Sequence, residues 1–182
     1  MEIVRTDIPD VLVLQPRVFR DERGFFMESY NRARWAEHGV DAEFVMDAHS
    51  RSGQWVLRGM HYQRQHTQGK LLRVLSGTIY DVAVDLRRSS PTFGRWVGAE
   101  LSAENFRQIW VPPGFAHGFL TLTDDVQVAY KCTDVYAPQY ERTLAWDDAK
   151  VGIRWPLPEG VRPQLSEKDQ RGACLADADV FD

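Results

Sequence analysis

The stretch KLLRVLSGTIYDVAVDL, residues 70–86, consists of two apolar runs around a Ser-Gly pair. Each run is short and rich in β-branched or aromatic side chains, and Ser76-Gly77 supplies a turn, so the pattern reads as two strands. In the second run Tyr80, Val82, Val84 and Leu86 share one face, while Ile79, Asp81, Ala83 and Asp85 share the other. A face of small and acidic groups lines a wet cavity or meets solvent, and alternation alone leaves both open. Working outward, VLVL at 11–14, QIWV at 108–111, GFLTL at 118–122 and VQVAYKC at 126–132 have the same character. Ser90-Pro91 and Thr123-Asp124-Asp125 punctuate them as turns. The one convincing helix is short: Asn31 caps Arg32 to His38 and Gly39 stops it. Ser102 and Ser166 are plausible caps of further helical turns. Strands at this spacing without long helices between them predict an antiparallel sandwich or barrel.

The chain has 182 residues, which fits one domain spanning 1–182, and no linker or internal repeat divides it. Lys and Arg total 22 against 26 Asp and Glu, a net charge of −4. That balance argues against a sequence-independent nucleic-acid binder, which needs a basic surface. No apolar run approaches the roughly 18 residues of a membrane span. The opening MEIVRTDIPD carries charges where a signal peptide needs apolar residues. Two cysteines, Cys132 and Cys174, form neither a disulfide framework nor a paired zinc motif. The expectation is a soluble cytoplasmic domain with no nucleic-acid or membrane partner.

Polar residues interrupt the apolar strands in four places. LRGMHYQ at 57–63 carries Arg58, His61 and Gln63; Lys70 follows Gly69; GFAHGF at 114–119 holds His117; and VAYKCTDVY at 128–136 holds Tyr130 and Tyr136. Taken singly, each has an ordinary structural reading: a hydrogen-bonded histidine, a solvated strand end, a core tyrosine with its hydroxyl satisfied. A metal site needs about three His, Asp, Glu or Cys side chains on one point. Neither His61 nor His117 has a second histidine two residues away, and His38, His49 and His66 fall on the helix or in loop-like stretches. No metal is expected.

Taken together, these segments resemble the dTDP-4-dehydrorhamnose 3,5-epimerase family over nearly the whole chain. The matching blocks are FRDERGFFMESY at 19–30, HSRS at 49–52, LRGMHYQ at 57–63 and GKLLRVLSGTIYDVAVDLR at 69–87. They continue through SPTFGRWVGAELSAENFRQIWVPPGFAHGF at 90–119, YKCTDVYAP at 130–138 and LSEKD at 165–169. The resemblance implies an all-β, cupin-type jelly-roll sandwich with a few short helices, a homodimer, and catalysis without metal or organic cofactor. Its implied substrate is a dTDP-linked 4-keto-6-deoxyhexose, whose ketone acidifies the hydrogens on carbons 3 and 5. Inversion through an enolate calls for a base, an oxyanion stabiliser and an acid on opposite faces of a flat intermediate.

By that resemblance His61 is the base, Asp169 its carboxylate partner, Tyr130 the acid and Lys70 the stabiliser of the ketone oxygen. Arg23, Glu28, Arg58, His117, Glu141 and Lys168 match substrate-contacting positions, His117 as a contact and not a second base. One departure stands out: before HSRS the family usually carries Gln-Asp-Asn, and here the residues are Met46, Asp47 and Ala48. The loss of two amide side chains implies weaker or rearranged substrate contact at that edge. The nearest alternative is a relative that inverts carbon 3 alone. From other classes, a metal-dependent cupin oxygenase would lose activity to a chelator, and a non-catalytic nucleotide-sugar binding module would bind without hydrogen exchange.

Overall fold

A computed structural model covers residues 1–182. Thirteen strands follow in chain order: β1 (Glu2–Arg5), β2 (Leu12–Gln15), β3 (Val18–Asp21), β4 (Gly24–Met27), β5 (Met46–Ser52), β6 (Leu57–Gln63), β7 (Lys70–Ser76), β8 (Thr78–Asp85), β9 (Trp96–Ser102), β10 (Gln108–Val111), β11 (Phe115–Thr121), β12 (Val126–Cys132) and β13 (Glu141–Thr143). The helix α1 (Arg32–Glu37) sits between β4 and β5. The strands form a six-stranded sheet in the order β1-β2-β10-β7-β12-β5, a five-stranded sheet in the order β13-β6-β11-β8-β9, and the separate hairpin β3-β4. All pairings between these strands are antiparallel. This is the all-β jelly-roll sandwich that the strand spacing and the resemblance imply.

The two sheets meet on one apolar layer in which Ile79 and Ala83 of β8 pack with Leu72, Ile109, Val128 and Phe119. The opposite row of β8 is also buried: Val82, Val84 and Leu86 pack with Met60, Leu144 and Val180 on the outer face of the five-stranded sheet. Both faces of β8 are therefore inside, and the acidic row that the alternation left open points inward. Asp81 and Asp85 are both 0% exposed. Asp85 is fully employed at the strand end. Burial pushes its carboxyl up, but hydrogen bonds from Arg87, Ser90 and Thr92 outweigh this and bring it down to about 2. It ties the turn between β8 and β9 together.

Asn31 caps α1, accepting from the Arg34 amide at 3.2 Å, and Gly39 follows at φ +95°. Trp35 of α1 is buried with Leu14, Leu71 and Trp110 against the outer face of the six-stranded sheet. No helix forms at Ser102, whose hydroxyl instead accepts from the Asn105 amide in a tight turn. A single 3-10 turn, Asp169–Arg171, follows Ser166, but its cap position is Lys168; the Ser166 hydroxyl accepts from the Asp169 amide at 3.2 Å. No helix is long and apolar enough to cross a membrane.

Candidate functional site

A cavity of about 830 Å³ opens between the sheets. The five-stranded sheet contributes Arg58 and His61 from β6, His117 from β11 and Glu141 from β13. The six-stranded sheet contributes Lys70 from β7 and Tyr130 from β12, and Lys168 with Asp169 close one side from the C-terminal 3-10 turn. Antiparallel register explains part of this convergence. His61 stands opposite His117 on one side and Thr143 on the other, and Tyr130 stands opposite Ala48. Between His117 and Phe119 the β6–β11 register shifts, and two glycines allow it. A Cβ on Gly59, which has φ +139°, would lie 2.6 Å from the Gly118 Cα. Side chains there would push the strands apart just where Arg58 and His61 are aimed.

His61 Nε2 meets the Asp169 carboxylate at 2.5 Å, with Asp169 only 4% exposed. A carboxylate accepts, so Nε2 carries the proton and Nδ1 keeps the free lone pair. Burial holds the imidazole below its ordinary value, against the opposing pull of Asp169, and Lys168 and Lys70 add to the lowering. Burial alone would raise the Asp169 carboxyl, but its bond to His61, the charge of that ring and Ser166 bring it below the carboxylate norm. The pair is a neutral imidazole oriented by an anionic carboxylate, which is the form a general base needs.

The sign of the pH dependence follows. As a general base His61 would work unprotonated, and its folded value is depressed, so the acid limb of such an activity would lie below the ordinary imidazole value of about 6.5. Asp169→Asn removes the charge that favours imidazolium. The acid limb then moves to still lower pH while the plateau of kcat falls about 10- to 100-fold, because the tautomer is no longer fixed. A pH–rate profile of the variant checks this; an acid limb displaced upward would contradict the pairing.

Across the cavity, no protein group hydrogen-bonds the Tyr130 hydroxyl or the Lys70 ammonium. Burial raises the phenol of Tyr130 above its usual range and lowers Lys70 below its own. Glu141 accepts from Lys168 at 2.8 Å and from the Tyr136 hydroxyl at 3.0 Å. His117 Nε2 lies 3.0 and 2.9 Å from the two oxygens of Asp81, buried beneath the cavity floor. Such a set can remove a proton from carbon on one side, hold an oxyanion, and return a proton from the other side. No group of three His, Cys, Asp or Glu side chains is arranged to hold a metal ion.

Eight of the ten residues singled out by sequence, His61, Tyr130, Asp169, Lys70, Arg58, His117, Glu141 and Lys168, line this one cavity. Arg23 and Glu28 do not. Arg23 pairs with Asp21 at the tip of the β3-β4 hairpin, and Glu28 pairs with Arg34 and Asn31. Gln63 turns out to be a clasp: its amide donates to the carbonyls of His66 and Val135 and accepts from the Ala137 amide, which fixes the loop carrying Tyr136. Met46 and Ala48 both face the cavity from β5, so the missing amides fall on its wall. Asp81 escaped selection as a site residue, and its only signal was an acid in an otherwise apolar strand.

A family model described as dTDP-4-dehydrorhamnose 3,5-epimerase matches residues 5–177. Proteins of that name from Pseudomonas aeruginosa and Shigella flexneri are 54% and 51% identical to this chain, each alignment covering 100% of it and 99% of the relative. Among solved structures, a dTDP-6-deoxy-D-glucose-3,5-epimerase from Legionella pneumophila in complex with dTDP-4-keto-L-rhamnose superposes with a TM-score of 0.94 at 49% identity. That match covers 98% of this chain and 94% of the other.

Proposed function

The chain belongs to the dTDP-4-dehydrorhamnose 3,5-epimerase family, and on that premise we propose how it works as an isomerase. It converts dTDP-4-dehydro-6-deoxy-D-glucose to dTDP-4-dehydro-L-rhamnose by inverting carbons 3 and 5, as a step of dTDP-L-rhamnose synthesis. The observation that carries this reading is His61 on one sheet, paired with Asp169 of the 3-10 turn, and Tyr130 on the facing sheet, with Lys70 in the same cavity.

The C4 ketone makes the neighbouring C–H bonds acidic enough for a base near neutral pH. His61 Nδ1 takes the proton, and Asp169 stabilises the imidazolium as it forms. Charge moves to the C4 oxygen, where the Lys70 ammonium meets it in a water-poor pocket and is worth far more than in water. The Tyr130 phenol stays protonated until the enolate demands its proton, and delivers it from the opposite face. Arg58, Lys168, Glu141 and His117 contact the nucleotide and sugar; the planar Arg58 fork suits the diphosphate. The route asks nothing of a metal or organic cofactor.

The same reading makes residues 1–182 one catalytic domain and the working enzyme a cytoplasmic homodimer, in a compartment where Cys132 and Cys174 remain thiols. Support for the dimer comes from the β3-β4 hairpin, where Phe19, Phe25 and Phe26 are exposed beside Arg23. A second copy that receives this hairpin covers its rings and brings Arg23 and Glu28 to the neighbouring cavity.

The test is NMR of dTDP-4-keto-6-deoxyglucose incubated with the enzyme in heavy water. Deuterium enters at both C3 and C5, and a 4-ketoreductase then traps a product of L-rhamno configuration. Deuterium confined to C3 would reassign the protein to the single epimerases, and no incorporation would remove the reaction.

A further inference from the structure

Asp81 is a carboxylate with 0% exposure in the middle of β8, flanked by apolar neighbours that already fill the core. Packing alone would be served by an aliphatic side chain at this position, since a buried charge costs far more than it returns unless something partners it. Its near neighbour Asp85 repays burial by tying a turn together through Arg87, Ser90 and Thr92. Asp81 ties nothing of the kind. Its one hydrogen-bonding partner is His117, whose Nε2 lies 3.0 and 2.9 Å from its two oxygens. Beyond His117 lies the cavity, and there Lys70 stands without a hydrogen-bonded acid.

We infer that Asp81 is a positioning residue of the reaction, fixing the ring of His117 with its proton on Nε2 and keeping Lys70 in the ammonium form that the enolate needs. This rests on the reading of Lys70 as oxyanion stabiliser. The geometry carries it. An acceptor placed symmetrically on one ring nitrogen sets the tautomer, so His117 presents Nδ1 as an acceptor elsewhere. The charge of Asp81 also acts on Lys70 through a medium that screens it poorly. The groups around Lys70 are Cys132, its register partner on β12, Glu141 on β13, Asp81 on β8, and the cationic Lys168, with His61 and His117 on the facing strands. Burial pushes Lys70 toward the neutral amine; Cys132, Glu141 and Asp81 resist, and Lys168 assists the loss. Glu141 is already engaged by Lys168 and Tyr136, and Cys132 is a thiol whose own ionisation burial opposes. Asp81 is the remaining carboxylate: burial pushes it up, and His117 and the charge of Lys70 pull it back toward the anion that offsets the cation.

The sign of the effect can be stated before the experiment. Tyr130 is raised and Lys70 lowered, so the alkaline limb of activity reports Lys70 losing its proton. Asp81→Asn removes the negative charge, disfavours the ammonium, and moves that limb to lower pH by about one unit. Above the wild-type midpoint of that limb kcat then falls by up to roughly tenfold, with KM changed by less than about threefold. A merely structural role would lower stability and leave the limb in place. The pH profile of D81N is therefore read beside nitrogen-15 NMR of His117 in the wild-type enzyme, which needs no variant to fold. Protonation at Nε2 together with the shifted limb supports the inference. A proton on Nδ1, or a folded D81N with an unmoved alkaline limb, overturns it. Should D81N not fold, carbon-13 NMR of Lys70 in the wild-type decides: an ammonium that persists across the active pH range supports the inference, and one that titrates within it does not. Deuterium exchange by the wild-type enzyme separates the two failures, because its absence would remove the reaction itself and leave the NMR results standing.

Discussion

His61→Ala abolishes deuterium incorporation at C3 and C5 alike, with kcat reduced about 10²- to 10⁴-fold, the range that a positioned general base contributes. Both positions respond together because both stereocentres flank the same ketone and His61 is the proposed base for each. His117, the other histidine in the cavity, has its Nε2 on Asp81 and sits on the strand beside His61, so it is not placed to substitute from another face. The substitution has a structural cost as well. Asp169 loses its imidazole partner while 4% exposed, and a buried acceptor stripped of its donor costs roughly 1–3 kcal/mol. A thermal melt beside the exchange assay separates the two effects, since a folded enzyme with no exchange is the expected result. Exchange at the wild-type rate in H61A would sink the assignment. So would loss at one carbon only, which would mean that the two protons leave to different bases.

The contrast between what the sequence revealed and what it hid has a physical origin. Strands such as β10 and β12 read cleanly because one face is apolar core throughout, and their bounds agree with the runs QIWV and VQVAYKC. The strand β5, MDAHSRS, was not legible. Its inner row is Met46, Ala48 and Ser50, its outer row is Asp47, His49 and Arg51, and no apolar alternation arises where the inner row lines a wet cavity at a sheet edge. Likewise β13 is three residues long and recognisable only by its pairing with β6. The site shows the same division. His61, Lys70 and Tyr130 were visible as polar interruptions of strands, whereas Asp169 came from resemblance alone, because 108 residues separate it from the histidine it touches. Asp81 was visible as a pattern without a direction. Alternation says that Asp81 and Ile79 share a face, and only the sheet order says that this face is the inner one.

Tyr130, the proposed acid, makes a different prediction, because in that role it acts after the base. Tyr130→Phe keeps the ring, which packs against the inter-sheet core, and deletes a hydroxyl to which no protein group is bonded. Stability should therefore change by less than about 1 kcal/mol, in contrast to H61A. Proton abstraction still has its base and its ammonium, so the enolate forms and His61 can return a solvent-exchanged proton to the face it came from. That return leaves configuration unchanged. Inversion needs a proton from the other sheet, and there the phenol is the donor that burial keeps protonated until the enolate arises. The expected result is inversion reduced about 10²- to 10³-fold with deuterium exchange lowered by no more than about tenfold, so that exchange without epimerisation becomes the main observable event. KM should hold, since the lost group acts on the transition state rather than on the bound sugar. Equal losses of exchange and inversion would place Tyr130 before protonation, as a group that orients the sugar. An unchanged rate of inversion would require some other acid on the Tyr130 wall; among the side chains that β5 aims into the cavity, Met46 and Ala48 have no proton to give and only Ser50 has a hydroxyl.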